Sequence, residues 1–438
     1  MNDIKVGLIG FGNIGAGVVK LLLENDSVIR DKVGAGIVLK KIADRNITAD
    51  RGVKVDPSIL TTNVDDIFED PEISVVIELV GGYEPAKSFV LKAISKGKHV
   101  VTANKALLAM HGEEIYAAAA ANNVEVQFEA AVGGGIPVLT AIKGNMAANR
   151  FGSVIGIMNG TCNYILTRMT QEGADFTEVL KAAQELGYAE PDPTFDIEGV
   201  DTAHKLAILV SLCFGTRIDF KDIHTEGISS ISGLDVKYAK EFGYRIKLLA
   251  IGKLSDGKVE ARVHPTMIPL HNPLAEVNGV FNAIRLTGDF VGPVMFYGRG
   301  AGQNPTASAI VGDLIGLSRS MVKGAGRTMA PLGFLDQAVK SLPVKPMSEI
   351  ISKYMLRFSA VDRPGVLAAI AASLGKYSIS IESMVQTAHQ TSDASPVPIV
   401  IMTHEAREGD IQSALAEIDR LEIICEKTSY IRIEDNLE

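Results

Sequence analysis

Cysteine is scarce in this 438-residue chain: Cys162, Cys213 and Cys425 are too few and too widely spaced for a disulfide or zinc framework. No run of ~18 uninterrupted apolar residues occurs, so a hydrophobic membrane-spanning helix is not expected. A basic surplus is also absent. The 43 Lys and Arg against 52 Asp and Glu leave a formal charge of −9, which argues against nucleic acid as the main partner. The opening MNDIKVGLIG has neither a basic n-region nor a cleavage site, which predicts a protein of the reducing cytoplasm. The remaining composition, 47% hydrophobic and 22% charged, is that of a soluble globular protein with two or three domains.

The aliphatic run Ile4 to Ile9 feeds directly into Gly10-Phe11-Gly12-Asn13-Ile14-Gly15, and Val18, Val19, Leu22 and Leu23 follow at helical spacing. Strand, glycine turn and helix thus come in the order a dinucleotide needs, with free N–H groups and a positive helix end to meet the pyrophosphate. The next strand, Ile37 to Ala43, ends in Asp44-Arg45. An acid there suits the ribose 2′-hydroxyl of NAD, and a guanidinium suits the 2′-phosphate of NADP. The pair favours NADP with NAD possible, and Arg45 is equally readable as a solvated loop charge. Strands at Val75 to Val80, His99 to Thr102 and Val124 to Phe128 alternate with helix-like stretches at Pro85 to Ser95 and Glu113 to Ala121. That alternation predicts an α/β, Rossmann-type doubly wound parallel sheet, with Gly81-Gly82 and Thr102-Ala103-Asn104-Lys105 at the ligand-bearing strand ends.

The densest chemistry lies between Ala183 and Lys205. Glu190, Asp192 and Asp196 come from a loop that Pro191 and Pro193 hold extended. Asp201 and Lys205, four apart on an apolar helix, address one face. A loop of solvated acids beside an ordinary i,i+4 ion pair is the plain alternative.

The string Gly187-Tyr188-Ala189-Glu190-Pro191-Asp192-Pro193, followed by Asp196, Gly199, Asp201 and Lys205, closely resembles the signature of homoserine dehydrogenases. The resemblance implies NAD(P)-linked hydride transfer between L-homoserine and L-aspartate 4-semialdehyde. It implies Lys205, Asp201 and Lys105 as catalytic residues, and Glu190, Asp201, Tyr188, Thr161 and Asp196 around the substrate. Further cofactor contacts are implied at Gly81, Ala103, Lys105, Gly187 and, in the loop Gly298 to Thr306, at Gly302. The Gly133-Gly134-Gly135 cluster alone reads as a hinge. The resemblance implies a monovalent cation, sodium, held by main-chain oxygens matching Glu129, Val132, Gly134 and Ile136.

Two rival readings stay open. Cys162, in Asn159-Gly160-Thr161-Cys162-Asn163-Tyr164, could be the thiol of a phosphorylating aldehyde dehydrogenase. A nucleotide fold joined to a sensing module could also bind ligands without turnover.

After Leu342-Pro343-Val344-Lys345-Pro346, a linker by composition, the pattern Tyr354 to Phe358, Asp362-Arg363-Pro364-Gly365-Val366-Leu367, Ile379 to Ile381, Pro398 to Met402, Ile411 to Ile418 and Ile431 to Ile433 predicts ferredoxin-like βαββαβ order. It resembles an ACT module, which implies an amino-acid effector, L-threonine, at Asp362, Gly365 and Val366. The expected organisation is a nucleotide domain at 1–135, an α+β substrate and dimerisation domain at 136–305, a returning helix at 306–340, a linker at 341–352 and the ACT domain at 353–438. A homo-oligomer, dimer or tetramer, is expected.

Overall fold

The computed structural model describes residues 3–325, 327–386 and 396–435. Two compact units emerge. The first takes in Met1–Val154, Asp201–Ile223 and Phe281–Leu342, and the second takes in Ile155–Val200, His224–Val280 and Pro343–Glu438.

In the first unit the β-branched runs pair as six parallel strands: β1 (Ile4–Ile9), β2 (Ile37–Ala43), β3 (Leu60–Thr61), β4 (Ile73–Glu78), β5 (His99–Thr102) and β6 (Val126–Gln127). Their order is β3-β2-β1-β4-β5-β6, so the chain reverses direction of growth between β1 and β4 and opens a crevice at their carboxyl ends. The doubly wound expectation holds, and its boundaries shift for local reasons. β4 stops at Glu78 because the buried Glu78 carboxylate accepts from Val80 N at 2.7 Å and from the Thr102 hydroxyl at 2.7 Å. β6 is two residues long because Phe128 O already accepts from Ala131 N, starting the 3-10 turn Glu129–Ala131. The helix expected from Glu113 begins at Lys105, where Asn104 caps it by accepting from Leu107 N at 3.0 Å. Over its whole length this helix has little amphipathic contrast, so periodicity gives its start no clear apolar stripe.

The helix Gln303–Val322 belongs to this same unit. Its Ala307, Ile310, Val311, Leu314 and Leu317 join Val6, Leu8, Val18 and Val19 in one core. Gly17 permits the close approach: a Cβ there would lie 2.7 Å from Gln303 Cγ and 3.2 Å from Ala307 Cβ. Gln303 in turn donates from Nε2 to Asn13 O at 2.9 Å, beside the glycine turn.

In the second unit, Tyr244–Ser255 and Lys258–Pro269 form an antiparallel pair in register from Lys258↔Ser255 to Pro269↔Tyr244. Ser429–Ile433 lies parallel to the latter strand and antiparallel to Ile351–Ala360, after which come Val397–Thr403 and Ile381–Gln386. With the helices Val366–Lys376 and Glu408–Ile418, these last four strands give the expected βαββαβ order around Tyr354, Leu356, Phe358, Ile370, Leu374, Ile399, Ile401, Ile411 and Ile418. The second strand is displaced from Ile379–Ile381 to Ile381–Gln386. Ser378 takes φ 59°, and Ile379 N donates back to Leu374 O, so Ile379 closes the helix instead of opening the strand.

No helix among the described residues is long and apolar enough to cross a membrane. Gly17→Val is expected to push the Gln303 helix outward, costing about 1–3 kcal/mol as overpacking does. Chemical denaturation and cofactor titration would check it; a variant with unchanged stability and cofactor affinity would contradict the packing role.

Candidate active site

At the end of β1 the backbone of Gly10 takes φ 99°, and the helix Asn13–Glu24 starts after Gly12 with no side-chain cap, leaving first-turn N–H groups for a ligand. A Cβ on Gly12 would meet nothing within 4 Å, so this glycine borders open space. A Cβ on Gly15 would lie 2.3 Å from Gly10 O, so that glycine closes the turn. Phe11 N donates to Asp44 Oδ2 at 2.6 Å and Asn46 N to Oδ1 at 2.8 Å, with Arg51 Nη2 3.5 Å from the same carboxylate. Asp44 thus pins the turn to the end of β2, and Arg45 is exposed beside it. The loops after β4 and β5 are joined by Asn104 Nδ2, which donates to Gly82 O at 2.7 Å and so fixes Gly81 and Ala103 at the crevice. Gly302 precedes the Gln303 helix with φ 119°. Open space over Gly12, a bare helix end and an anchored turn fit a dinucleotide pyrophosphate.

The same unit carries the helix Val200–Phe214, buried from Asp201 to Val210. Asp201 sits in its first turn, where a carboxylate is favoured by the helix dipole. Lys205 Nζ donates to Asp201 Oδ2 at 2.7 Å, and Lys105 Nζ lies 3.1 Å from Asp201 Oδ1. Each carboxylate oxygen therefore holds one ammonium. Asp201 and Lys205 side chains are 6% and 10% exposed, whereas Lys105, at 31%, keeps its approach to solvent. Two cations on one anion leave a net positive site beside the loop after β5, suited to a carbonyl or alkoxide oxygen.

In the second unit the helix Gly160–Glu172 is capped by Asn159, which accepts from Cys162 N at 2.8 Å. Asn159 Nδ2 donates to Asp196 Oδ1 at 2.8 Å; the Thr161 hydroxyl lies 3.1 Å from Asp196 Oδ2 and 2.7 Å from Tyr188 O. Asp196, expected at the substrate, is thereby engaged in tying its loop to the helix end. The Tyr188 ring packs on Tyr164 at 5.0 Å and is 46% exposed; Gly187 (φ 73°) and Glu190 are exposed as well. Cys162 is wholly buried and its Sγ donates to Asp196 O at 3.2 Å. That is the environment of a packing thiol, which removes the thioester reading.

Comparison with known proteins decides the family. The model described as "Homoserine dehydrogenase, NAD binding domain" matches residues 10–129, the one described as "Homoserine dehydrogenase" matches 137–315, and the ACT domain model matches 354–423. A homoserine dehydrogenase of Synechocystis sp. is 45% identical over 435 residues, covering 98% of this chain and 99% of that protein. The chain belongs to the homoserine dehydrogenase family.

It is accordingly an oxidoreductase acting on a CH–OH group with NAD(P). The homoserine dehydrogenase of Pseudomonas aeruginosa is also 45% identical, covering 99% of both chains. The crystal structure of a homoserine dehydrogenase from Thiobacillus denitrificans superposes with a TM-score of 0.93 at 45% identity over 99% of both chains. This assignment displaces the reading of a non-catalytic sensor.

Within this homoserine dehydrogenase the Glu129 side chain is committed elsewhere, accepting from Leu139 N at 2.9 Å and Thr140 N at 2.6 Å. The Glu129 main-chain oxygen accepts from Val132 N at 3.3 Å, and that of Ile136 from Val138 N at 2.8 Å, which leaves each carbonyl a second lone pair. Gly133 and Gly134 take φ 73° and 53°, and a Cβ on Gly134 would lie 2.5 Å from Gly300 O. No cluster of His, Cys, Asp and Glu fit for a metal occurs among the described residues. Neutral oxygens of this kind fit a hard monovalent ion. In the ACT domain Gly365 (φ 92°) opens the helix Val366–Lys376 without a side-chain cap, close in sequence to Asp362.

His204 went unnoticed in the sequence, although it sits between Asp201 and Lys205. It is fully buried with its ring 4.3 Å from that of Phe220. Burial, then Lys105 and also Lys205, push its pKa down to about 4 against the pull of Asp201, so the imidazole stays neutral beneath the two ammoniums. In the unfolded chain it binds a proton below about pH 6.5, so stability falls as pH drops from there towards 4, by up to about 3 kcal/mol. Urea unfolding at pH 7 and pH 4.5 should show a smaller acid loss for His204→Gln than for the natural protein. Equal losses would contradict the neutral imidazole.

Proposed function

We propose that this enzyme interconverts L-homoserine and L-aspartate 4-semialdehyde, prefers NADP(H) to NAD(H), and serves threonine, methionine and isoleucine biosynthesis as a homo-oligomer under feedback by L-threonine. The observation that carries the reading is the Asp201 carboxylate shared by Lys105 and Lys205. When bound, the nicotinamide supplies or accepts the hydride. Lys205 gives a proton to the carbonyl oxygen during reduction, and as a neutral amine takes it from the hydroxyl during oxidation. Lys105 stabilises negative charge on that oxygen. Asp201 holds both lysines in place and, with Glu190, offers counter-charge to the substrate α-ammonium. Tyr188 and Thr161 fix the rest of the amino acid.

The coenzyme preference rests on two facts. The Asp44 carboxylate is already taken by Phe11 N and Asn46 N, and Arg45 is exposed next to it. A 2′-phosphate gains from that guanidinium, whereas a 2′-hydroxyl draws only on the acceptor capacity Asp44 has left. Gly10 to Gly15, Gly81, Ala103, Lys105, Gly187 and Gly302 complete the cofactor contacts. Sodium is the cation on the main-chain oxygens of Glu129, Val132, Gly134 and Ile136. Threonine is received at Asp362, Gly365 and Val366, where uncapped helix N–H groups suit its carboxylate.

NADPH absorbance with L-aspartate 4-semialdehyde, without phosphate and with or without L-threonine, tests the reaction and the effector. Rapid oxidation suppressed by threonine is expected. Oxidation indifferent to threonine removes the effector, and none with either NADPH or NADH removes the reaction. Lys205→Ala should lower kcat by about 10²-fold or more with cofactor affinity intact; near-normal turnover would take Lys205 out of the chemistry. Glu190→Ala should raise the KM for homoserine, and an unchanged value would count against its ammonium role.

A further inference from the structure

Arg432, near the carboxyl end of the chain, is 2% exposed and makes two forks. Its Nε and Nη2 donate to Glu408 at 2.8 and 2.6 Å, at the start of an ACT helix. Its Nη1 and Nη2 donate to Glu226 at 2.7 and 2.9 Å. The two carboxylates differ in kind. Glu408 also accepts from Tyr354 Oη at 2.8 Å, so it belongs to the ACT domain's own network. Glu226 lies 206 residues before Arg432, on a segment that the ACT fold does not include.

That segment has little freedom. Glu226 N donates to Val263 O and Ile228 N to Ile197 O, both at 2.8 Å. A Cβ on the intervening Gly227 would lie 2.4 Å from Ile197 O and 2.5 Å from Glu198 Cα, and one on Gly199 would lie 3.3 Å from Glu226 O. Backbone therefore rests on backbone between 225–228 and 197–199. The latter closes the short helix Thr194–Ile197, whose Asp196 is tied to Asn159 and Thr161. The strand bearing Arg432 is itself shared, with Thr266↔Arg432 on one side and Tyr354↔Arg432 on the other. Glu226 gains support from His224 Nε2 at 2.7 Å. Burial alone would raise its pKa, but hydrogen bonds from His224 and Arg432 hold it far below the ordinary glutamate value.

We propose that Arg432 and Glu226 are positioning residues for the amino-acid substrate: their bidentate ion pair clamps the 225–228 segment under the loop carrying Glu190 and Asp196, linking the ACT domain's last strand to the substrate loop. The clamp touches neither coenzyme nor reacting atoms. A guanidinium is required because only a planar fork serves two carboxylates at once; the single ammonium of a lysine cannot keep both bidentate geometries. The inference rests on the proposed role of Glu190.

The test is steady-state kinetics on the full-length enzyme with homoserine and NADP, beside thermal unfolding. Glu226→Gln keeps the shape and loses the charge; it should raise the homoserine KM at least about 5-fold, with the KM for NADP and kcat within about 2-fold. Arg432→Lys should do the same, and the two changes combined should cost less than the product of each alone, because they share one interaction. Tyr354→Phe removes a hydrogen bond inside the ACT domain and leaves the fork to Glu226, so it should lower Tm without moving the homoserine KM. A folded Glu226→Gln enzyme with unchanged homoserine KM overturns the clamp, as does a KM rise in Tyr354→Phe equal to that in Glu226→Gln. Glu190→Ala, assayed in parallel, separates the failures: an effect there with none in Glu226→Gln rejects the clamp, and none there rejects the substrate-loop reading.

Discussion

One carboxylate, Asp201, holds two ammonium groups in a place where water can barely reach it. Burying an unpaired charge is costly, so Asp201 and Lys205 depend on each other there, while Lys105, 31% exposed, completes the pairing from the solvent side. The arrangement also dictates backbone. Asp201 must stand in the first turn of a helix buried on almost every side, and Gly199, at φ 80°, lets the chain turn into that helix. Lys105 must open its own helix, which Asn104 secures by capping it and by reaching Gly82 O. The loops after β4 and β5 and the start of the Lys105 helix are therefore set by the same asparagine.

Much of this was legible. The strand, glycine turn and helix at Ile4 to Gly15 follow from local rules, as does the i,i+4 pairing of Asp201 with Lys205, and the structure has both. The ACT order could be read because each of its elements has its own periodicity. What stayed hidden involves partners far apart in sequence or residues whose chemistry is ambiguous. Nothing in the pattern around Glu129 or Asp196 says that these acids serve as caps and loop ties, since a carboxylate that binds a ligand and one that caps a helix look alike in sequence. The start of the Lys105 helix has no distinct apolar stripe, because Leu107, Leu108 and Met110 are spread around it. The double pairing of Ser429–Ile433 joins segments more than 160 residues apart, which no local periodicity encodes.

That shared strand gives the ACT domain a physical connection to the rest of its unit. A domain attached only by Leu342 to Pro346 could influence chemistry only loosely. Here the hydrogen-bond ladder from Ile351–Ala360 continues through Ser429–Ile433 into Lys258–Pro269. Arg262, also fully buried, donates to Glu434 just beyond the same strand, and Lys253 reaches Glu434 at 2.7 Å. Three cations and several acids thus line a seam in which Arg432 and Glu434 each hold two partners of opposite charge.

Hydride delivery to the carbonyl carbon, with the protein handling only the proton, is tested most directly with isotope. NADPH carrying deuterium at both nicotinamide C4 positions should convert L-aspartate 4-semialdehyde to homoserine with one deuterium on C4, one label per coenzyme oxidised, as read by mass spectrometry and proton NMR. Homoserine formed without the label, or coenzyme oxidised with no homoserine formed, would contradict direct transfer.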